Sequence, residues 1–144
     1  MKLIGFFRDM NPKAPSIYSE KTPSVNPGKP EYPLQEVGSY LHSGYPILDV
    51  MEATADVIGK AFHVPGGSSI LTDGSFVWRV DLASYVEHYA IALPPDFLEF
   101  MERHNFKIPH VTQDQLIELS IAASNALGFH TDPGASPRAV RKDS

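Results

Sequence analysis

The sequence predicts an α+β fold, in which a small antiparallel sheet that includes a β-hairpin packs with about three α-helices. Two short β-favouring runs, Ser68 to Thr72 and Ser75 to Arg79, flank Asp73-Gly74. That dipeptide suits a two-residue type I′ hairpin, whose central positions both need positive φ. After Asp81, the apolar residues Leu82, Tyr85, Val86 and Tyr89 recur at helical spacing. Further on, Pro95 and Thr112 each open another helical stretch.

In chain order, Lys2 to Phe7 reads as an opening strand. The following segment 11–33 holds six of the thirteen prolines, with Ser, Asn and Gly between them. It is expected to be an irregular, largely extended arm crossing the core surface. From Tyr40 to Val57 two readings stay open. Leu48, Met51, Ala55 and Ile58 are spaced like one face of a helix, whereas Pro46 to Val50 equally suits the start of a strand. Pro65-Gly66-Gly67 then turns the chain into the hairpin. Alternation along the hairpin puts Phe76 and Trp78 on one side, which is expected to be core and covered by the helix of Tyr85 and Tyr89.

Asp81 is placed to cap that helix. Leu93-Pro94-Pro95 ends the pattern, and Pro95 starts a second helix with Phe97, Leu98 and Met101 on its buried side, ending near Asn105. Thr112 and Gln115 match a capping box for a third, which carries Leu116, Ile117, Ile121 and Leu127 to a stop at Gly128. Residues 1–130 are therefore expected to form one domain including the arm, and 131–144 a polar, flexible tail.

Composition bounds the function. A chain of 144 residues is long enough to bury roughly 68–70% of its unfolded surface. Its 42% hydrophobic and 20% charged residues are ordinary for a globular protein. With no cysteine, disulfides, thiolate catalysis and cysteine-ligated zinc are excluded. Met1 to Phe7 lacks the apolar region and cleavage site of a secretory signal, and no stretch is apolar enough to span a bilayer. A cytoplasmic protein is expected. The formal charge of −5 argues against nucleic acid as a partner, because phosphate neutralisation needs clustered Lys and Arg. It favours association with a basic partner.

Motifs for chemistry are missing. His42, His63, His88, His104, His110 and His130 include no i, i+4 pair to grip a metal. Pro65 to Ser69 has glycines but not the lysine of a phosphate-binding loop, and no G-x-S-x-G surrounds a serine. Asp49, Asp56, Asp73, Asp81 and Glu87 could supply an acid/base pair, yet each has a structural assignment: Asp73 to the turn, Asp81 to the cap, and Asp49, Asp56 and Glu87 to solvated faces. No catalytic residue, metal or cofactor is expected.

The segment TDGSFVWRVDLASYVEHYAIALPPDF, Thr72 to Phe97, resembles a pattern of small uncharacterised bacterial proteins: Asp-Gly, then Trp, an acid, Tyr-Val, and Leu-Pro followed by Phe. YLHSGYPILDV upstream is similar to the same proteins. Together these cover under half of the chain. Such proteins resemble small accessory reading frames beside secreted bacterial toxins, which implies an immunity protein that occludes the active site of a cognate toxin with a basic cleft. Under that resemblance Asp73, Trp78, Glu87 and Glu99 are candidate partner contacts, and neither nucleic acid nor membrane is a partner. The alternatives are a small hydrolase that reverses a toxin's modification, marked by a pocket lined by His63, Asp73 or Asp81, and a non-catalytic oligomeric module.

Overall fold

The computed structural model describes residues 1–23 and 31–128; the expected tail 131–144, the last two residues of the expected 1–130 domain and residues 24–30 of the 11–33 arm lie outside the described residues. Its strands are β1 (Lys2–Ile4), β2 (Tyr45–Leu48), β3 (Thr54–Ala55), β4 (His63–Val64), β5 (Ile70–Thr72) and β6 (Phe76–Arg79). Its helices are α1 (Leu34–His42), α2 (Leu82–Tyr89), α3 (Pro95–Arg103) and α4 (Gln113–Ala126), with one 3-10 turn at Arg8–Met10. The fold is α+β, as expected, and the hairpin is present.

The principal sheet differs from the expected antiparallel one. Its order is β1-β6-β5-β2, and β1 runs parallel to β6, with Lys2 opposite Phe76 and Ile4 opposite Trp78. A parallel neighbour requires a crossover instead of a tight turn, and local periodicity carries no record of one. β3 and β4 form a separate two-stranded sheet.

All four residues of β6 are buried, so this central strand feeds two cores by simple alternation. Phe76 and Trp78 join Ile4, Tyr40, Leu82, Phe97 and Met101 on one side. Val77 joins Phe6, Ile47, Leu48, Ile70 and Ala123 on the other. Helices α1, α2 and α3 supply the first core and α4 contributes to the second. The hairpin's aromatic face is covered by Tyr40 and Phe97, with ring centroids 5.9 and 5.4 Å from Trp78, rather than by the expected Tyr85 and Tyr89. Tyr85 instead packs on Phe7 and Phe62.

The ambiguous stretch resolves into both kinds of element. α1 was not anticipated in its first turns; it starts after Pro33 and buries Val37, Gly38, Tyr40 and Leu41. β2 follows, and Met51 and Ala55 lie in loop and short strand, both exposed, not on a helix. Gly44, between the two, has no room for a side chain: a Cβ there would sit 2.6 Å from the Trp78 ring.

The hairpin turn also departs from the expected type. Thr72 pairs with Val77, Asp73, Gly74 and Ser75 lie between the strands, and of Asp73 and Gly74 only Gly74 has positive φ, at 100°. The Asp73 carboxylate accepts the amides of Ser75 and Phe76 at 2.9 and 2.8 Å, a side-chain substitute for a backbone turn. Strand β1 is shorter than expected, and the arm's described part folds back so that Phe7 bridges Glu20. The capping box of α4 forms as read, with Gln115 N–H on Thr112 Oγ1 at 3.2 Å and Thr112 N–H on Gln115 Oε1 at 3.0 Å.

Trp78 is fully buried and its indole N–H donates to the Leu41 carbonyl at 3.1 Å. Trp78→Ala is therefore expected to cost about 3–5 kcal/mol, measured by urea unfolding. Burial pushes the Tyr32 and Tyr85 hydroxyls up to about 12. Tyrosines in the unfolded chain ionise near pH 10, so their contribution is intact below that and lost as pH rises toward 12. Tyrosinate absorbance and circular dichroism are expected to change together in that window.

Candidate functional site

Among the described residues three acidic side chains are buried, and protein groups engage each. Asp73, 1% exposed, receives the Tyr40 hydroxyl at 2.6 Å in addition to its turn amides. Burial, the hydrogen bond to Asp73 and its negative charge together hold the Tyr40 pKa far above the ordinary tyrosine value. The pair ties α1 to the hairpin tip.

Asp81 stands at the N-cap position of α2 but makes no side-chain cap bond. Its carboxylate turns back to Arg79, with Nε–Oδ1 at 3.1 Å and Nη2–Oδ2 at 2.8 Å, and receives the Thr54 hydroxyl at 2.9 Å. Arg79 and Asp81 are 4% and 1% exposed. Alternation forces Arg79 onto the second core, where its guanidinium also lies 6.0 Å from the centre of the Tyr18 ring. Burial pushes the Asp81 carboxyl up, and the Arg79 charge and the bonds from Thr54 and Arg79 pull it back only in part.

Asp56, expected on a solvated face, is buried instead. One oxygen accepts the amides of Ile58 and Gly59 at 2.8 and 3.3 Å, and the other accepts the Ala61 amide at 2.8 Å and the Tyr89 hydroxyl. The intervening backbone curls around the carboxylate, with Lys60 at φ 55°. Burial alone would raise its pKa, but the Tyr89 and amide bonds outweigh it and hold the group below the ordinary carboxylate value. No periodicity signals this loop. The one legible clue is an Asp followed by Gly59-Lys60 in a turn-prone stretch.

The sequence candidates divide accordingly. Asp73 and Trp78 are 1% and 0% exposed, so they offer no surface to a partner and are corrected to structural roles. Glu87 and Glu99 are exposed, on α2 and α3. Glu87 lies 3.2 Å from His42 Nε2 of α1. Among the described residues, no three His, Asp or Glu gather as a metal site, and no helix is long and apolar enough to cross a membrane.

Sequence reasoning missed a surface feature. An open groove of roughly 630 Å³ runs between β2 and the start of α4, lined by the apolar Pro46, Ile47, Val111, Leu116 and Ile117 and the polar His110, Thr112, Gln113 and Ser120. α4 packs Leu116 and Leu119, with Leu127 just beyond it, against the second core beside its buried Ser120, Ala123 and Ser124, which leaves Ile117 half-buried and Ile121 41% exposed. No Lys or Arg occurs in the sequence intervals that supply the groove, from Glu31 to Gly59 and from Ile108 to Gly128. The signal was the basic-free interval, which net charge alone conceals.

These features define an α+β protein with an interior of engaged carboxylates and an open groove of mostly apolar lining. The chain matches no protein-family model, no curated protein and no solved structure.

Arg79→Met leaves Asp81 buried without its cation and is expected to cost about 3–5 kcal/mol. Adding Asp81→Leu is expected to recover much of that loss, read as a double-mutant cycle in urea. For Asp56, the lowered pKa means that its contribution is present above the ordinary carboxylate range and lost as pH falls through the folded value. Asp56→Asn is expected to flatten the acid limb of the stability curve, as followed by thermal melting.

Proposed function

We propose that this protein is an immunity protein, which binds a cognate bacterial toxin and occludes its active site. The observation that supports this reading is the division of its acids. Asp56, Asp73 and Asp81 are committed to the interior, whereas Glu36, Glu87, Glu99, Glu102, Asp114 and Glu118 are exposed along the helices. Basic side chains do not balance the acids over the whole chain, whose formal net charge is −5. The resemblance of Thr72 to Phe97 to toxin-associated small proteins points the same way.

Physically, an acidic rigid surface suits the neutralisation of a basic catalytic cleft. Long-range attraction accelerates encounter, and apolar contacts then exclude water and slow release. Occlusion requires no chemistry from the inhibitor, only a surface whose shape survives binding. Interlocked carboxylate networks and two cores provide such rigidity. Glu87 and Glu99 are surface members of the acidic set; cytoplasmic residence, where an incoming or newly made toxin would be met, belongs to the same proposal.

Coexpression of the tagged chain with the proteins encoded beside it is expected to recover one stoichiometric partner that is toxic alone and harmless in the complex. Affinity is expected to fall as salt is raised through the physiological range. Recovery of the chain with no such partner, or a partner whose activity is unchanged in the complex, would refute the proposal.

A further inference from the structure

We infer that the groove between β2 and α4 is a binding site for a small uncharged molecule, with an aromatic or hydrocarbon body and one hydroxyl, carbonyl or amide group. This goes beyond the immunity reading and does not rest on it.

The walls of the groove are positioned before anything enters. The Tyr45 hydroxyl reaches the Pro109 carbonyl at 3.5 Å, which joins β2 to the loop preceding α4, and the Thr112–Gln115 capping box holds the first turn of that helix. The volume of roughly 630 Å³ falls within the range of about 300–1,000 Å³ that small-molecule sites occupy. The lining is graded in burial. Ile47, Val111 and Ser120 are buried and form the inner surface, Leu116 and Ile117 are half-buried, and Pro46, His110 and Gln113 are exposed at the rim.

Ser120 is the polar exception on that inner surface. It is 7% exposed, and its hydroxyl has no hydrogen-bond partner among the described residues. One turn further along the same helical face, Ser124 Oγ is also buried and unpartnered. Buried hydroxyls are ordinarily bonded, and serines in helices commonly turn back to the carbonyl four residues earlier, as Ser43 does to Ser39 at 2.7 Å at the end of α1. Alanine, the better helix former, would fill position 120 and leave no polar atom unmatched. A ligand group placed on Ser120 supplies the missing partner while the rest of the molecule covers Ile47, Leu116 and Ile117.

The absence of charge from the lining sets the class of ligand. No Asp, Glu, Lys or Arg lines the groove, and His110 is its one ionisable side chain. An anion or an ammonium group entering beside Ser120 would surrender hydration without a fixed counter-charge, whereas a neutral polar group needs only the hydroxyl.

The probes are 2-phenylethanol, phenylacetate and 2-phenylethylamine, which share one apolar body and differ in charge at pH 7. Each is titrated into the full chain while amide chemical shifts are recorded. The alcohol is expected to shift Ile47, Val111, Ile117 and Ser120 saturably, and the two charged probes to bind there several-fold more weakly. Ser120→Ala is expected to weaken binding of the alcohol about fivefold without lowering the melting temperature, a combination that a purely structural serine would not produce. Equal binding of the three probes, shifts confined to other surfaces, no saturable shift with any probe, or unchanged binding by the Ser120→Ala variant would each overturn the inference. Because the titration involves no toxin, its result leaves the immunity reading to its own coexpression test.

Discussion

The burial of β6 on both faces is the constraint from which the other arrangements follow. A strand bounded by β1 and β5 and covered on each side must present an apolar residue at every position or neutralise the exception. Phe76, Val77 and Trp78 meet the first condition. Arg79 does not, and the chain answers within two residues by directing Asp81 back to it in a two-bond pair. Thr54 then completes the carboxylate's contacts, which fixes the start of β3 against the start of α2. An ion pair of this kind adds little stability over a well-packed apolar pair, but breaking half of it is costly. Its contribution is to leave one permissible arrangement of strand, loop and helix.

The same logic is repeated at Asp73 and Asp56, at two other junctions. At the hairpin tip the Asp73 carboxylate replaces backbone turn geometry and receives Tyr40 from α1. Near β3 the Asp56 carboxylate organises a loop and receives Tyr89 from α2. In each case a tyrosine has its ring in or against the apolar cluster and its hydroxyl on a buried acid, so packing and polar satisfaction are met by one side chain. The acids therefore perform separate tasks. Those inside specify how loops join helices, and those outside set the electric field a partner meets.

Much of the local structure was legible in the sequence because local rules determine it. The Thr112 and Gln115 capping box, Pro95 at the start of α3, the strand pair around Asp73-Gly74 and the core position of Trp78 all follow from interactions among near neighbours. What was not legible depended on distant ones. Parallel pairing of β1 with β6 leaves no turn to recognise, and the approach of Tyr40 to Trp78 and Asp73 is set by the sheet. Asp73 matched a common turn dipeptide, but the Thr72–Val77 register lengthened the loop and made its side chain structural. Asp56 appeared solvent-facing because acids usually are, and only the curled loop with Tyr89 makes burial tolerable. The groove escaped notice because it joins β2 to α4, and because the helical spacing of Ile117 and Ile121 reads equally as an inward or an outward stripe.

The place of β1 beside β6 has a consequence for how the chain reaches this structure. Lys2, Leu3 and Ile4 find their partners only at Phe76, Val77 and Trp78, after every intervening element has been threaded past. Closing so long a loop is entropically expensive and gains little until the sheet it completes exists. The hairpin of β5 and β6, whose contacts are close in sequence, is the natural template, and β1 docks onto it afterwards. Any piece of the chain that stops short of Arg79 consequently leaves the opening strand with an unpaired edge and the apolar side chains of Ile4 and Phe6 in water. A ribosome-bound fragment of that length would be a client for chaperones, and assembly would proceed from the middle of the sequence outward.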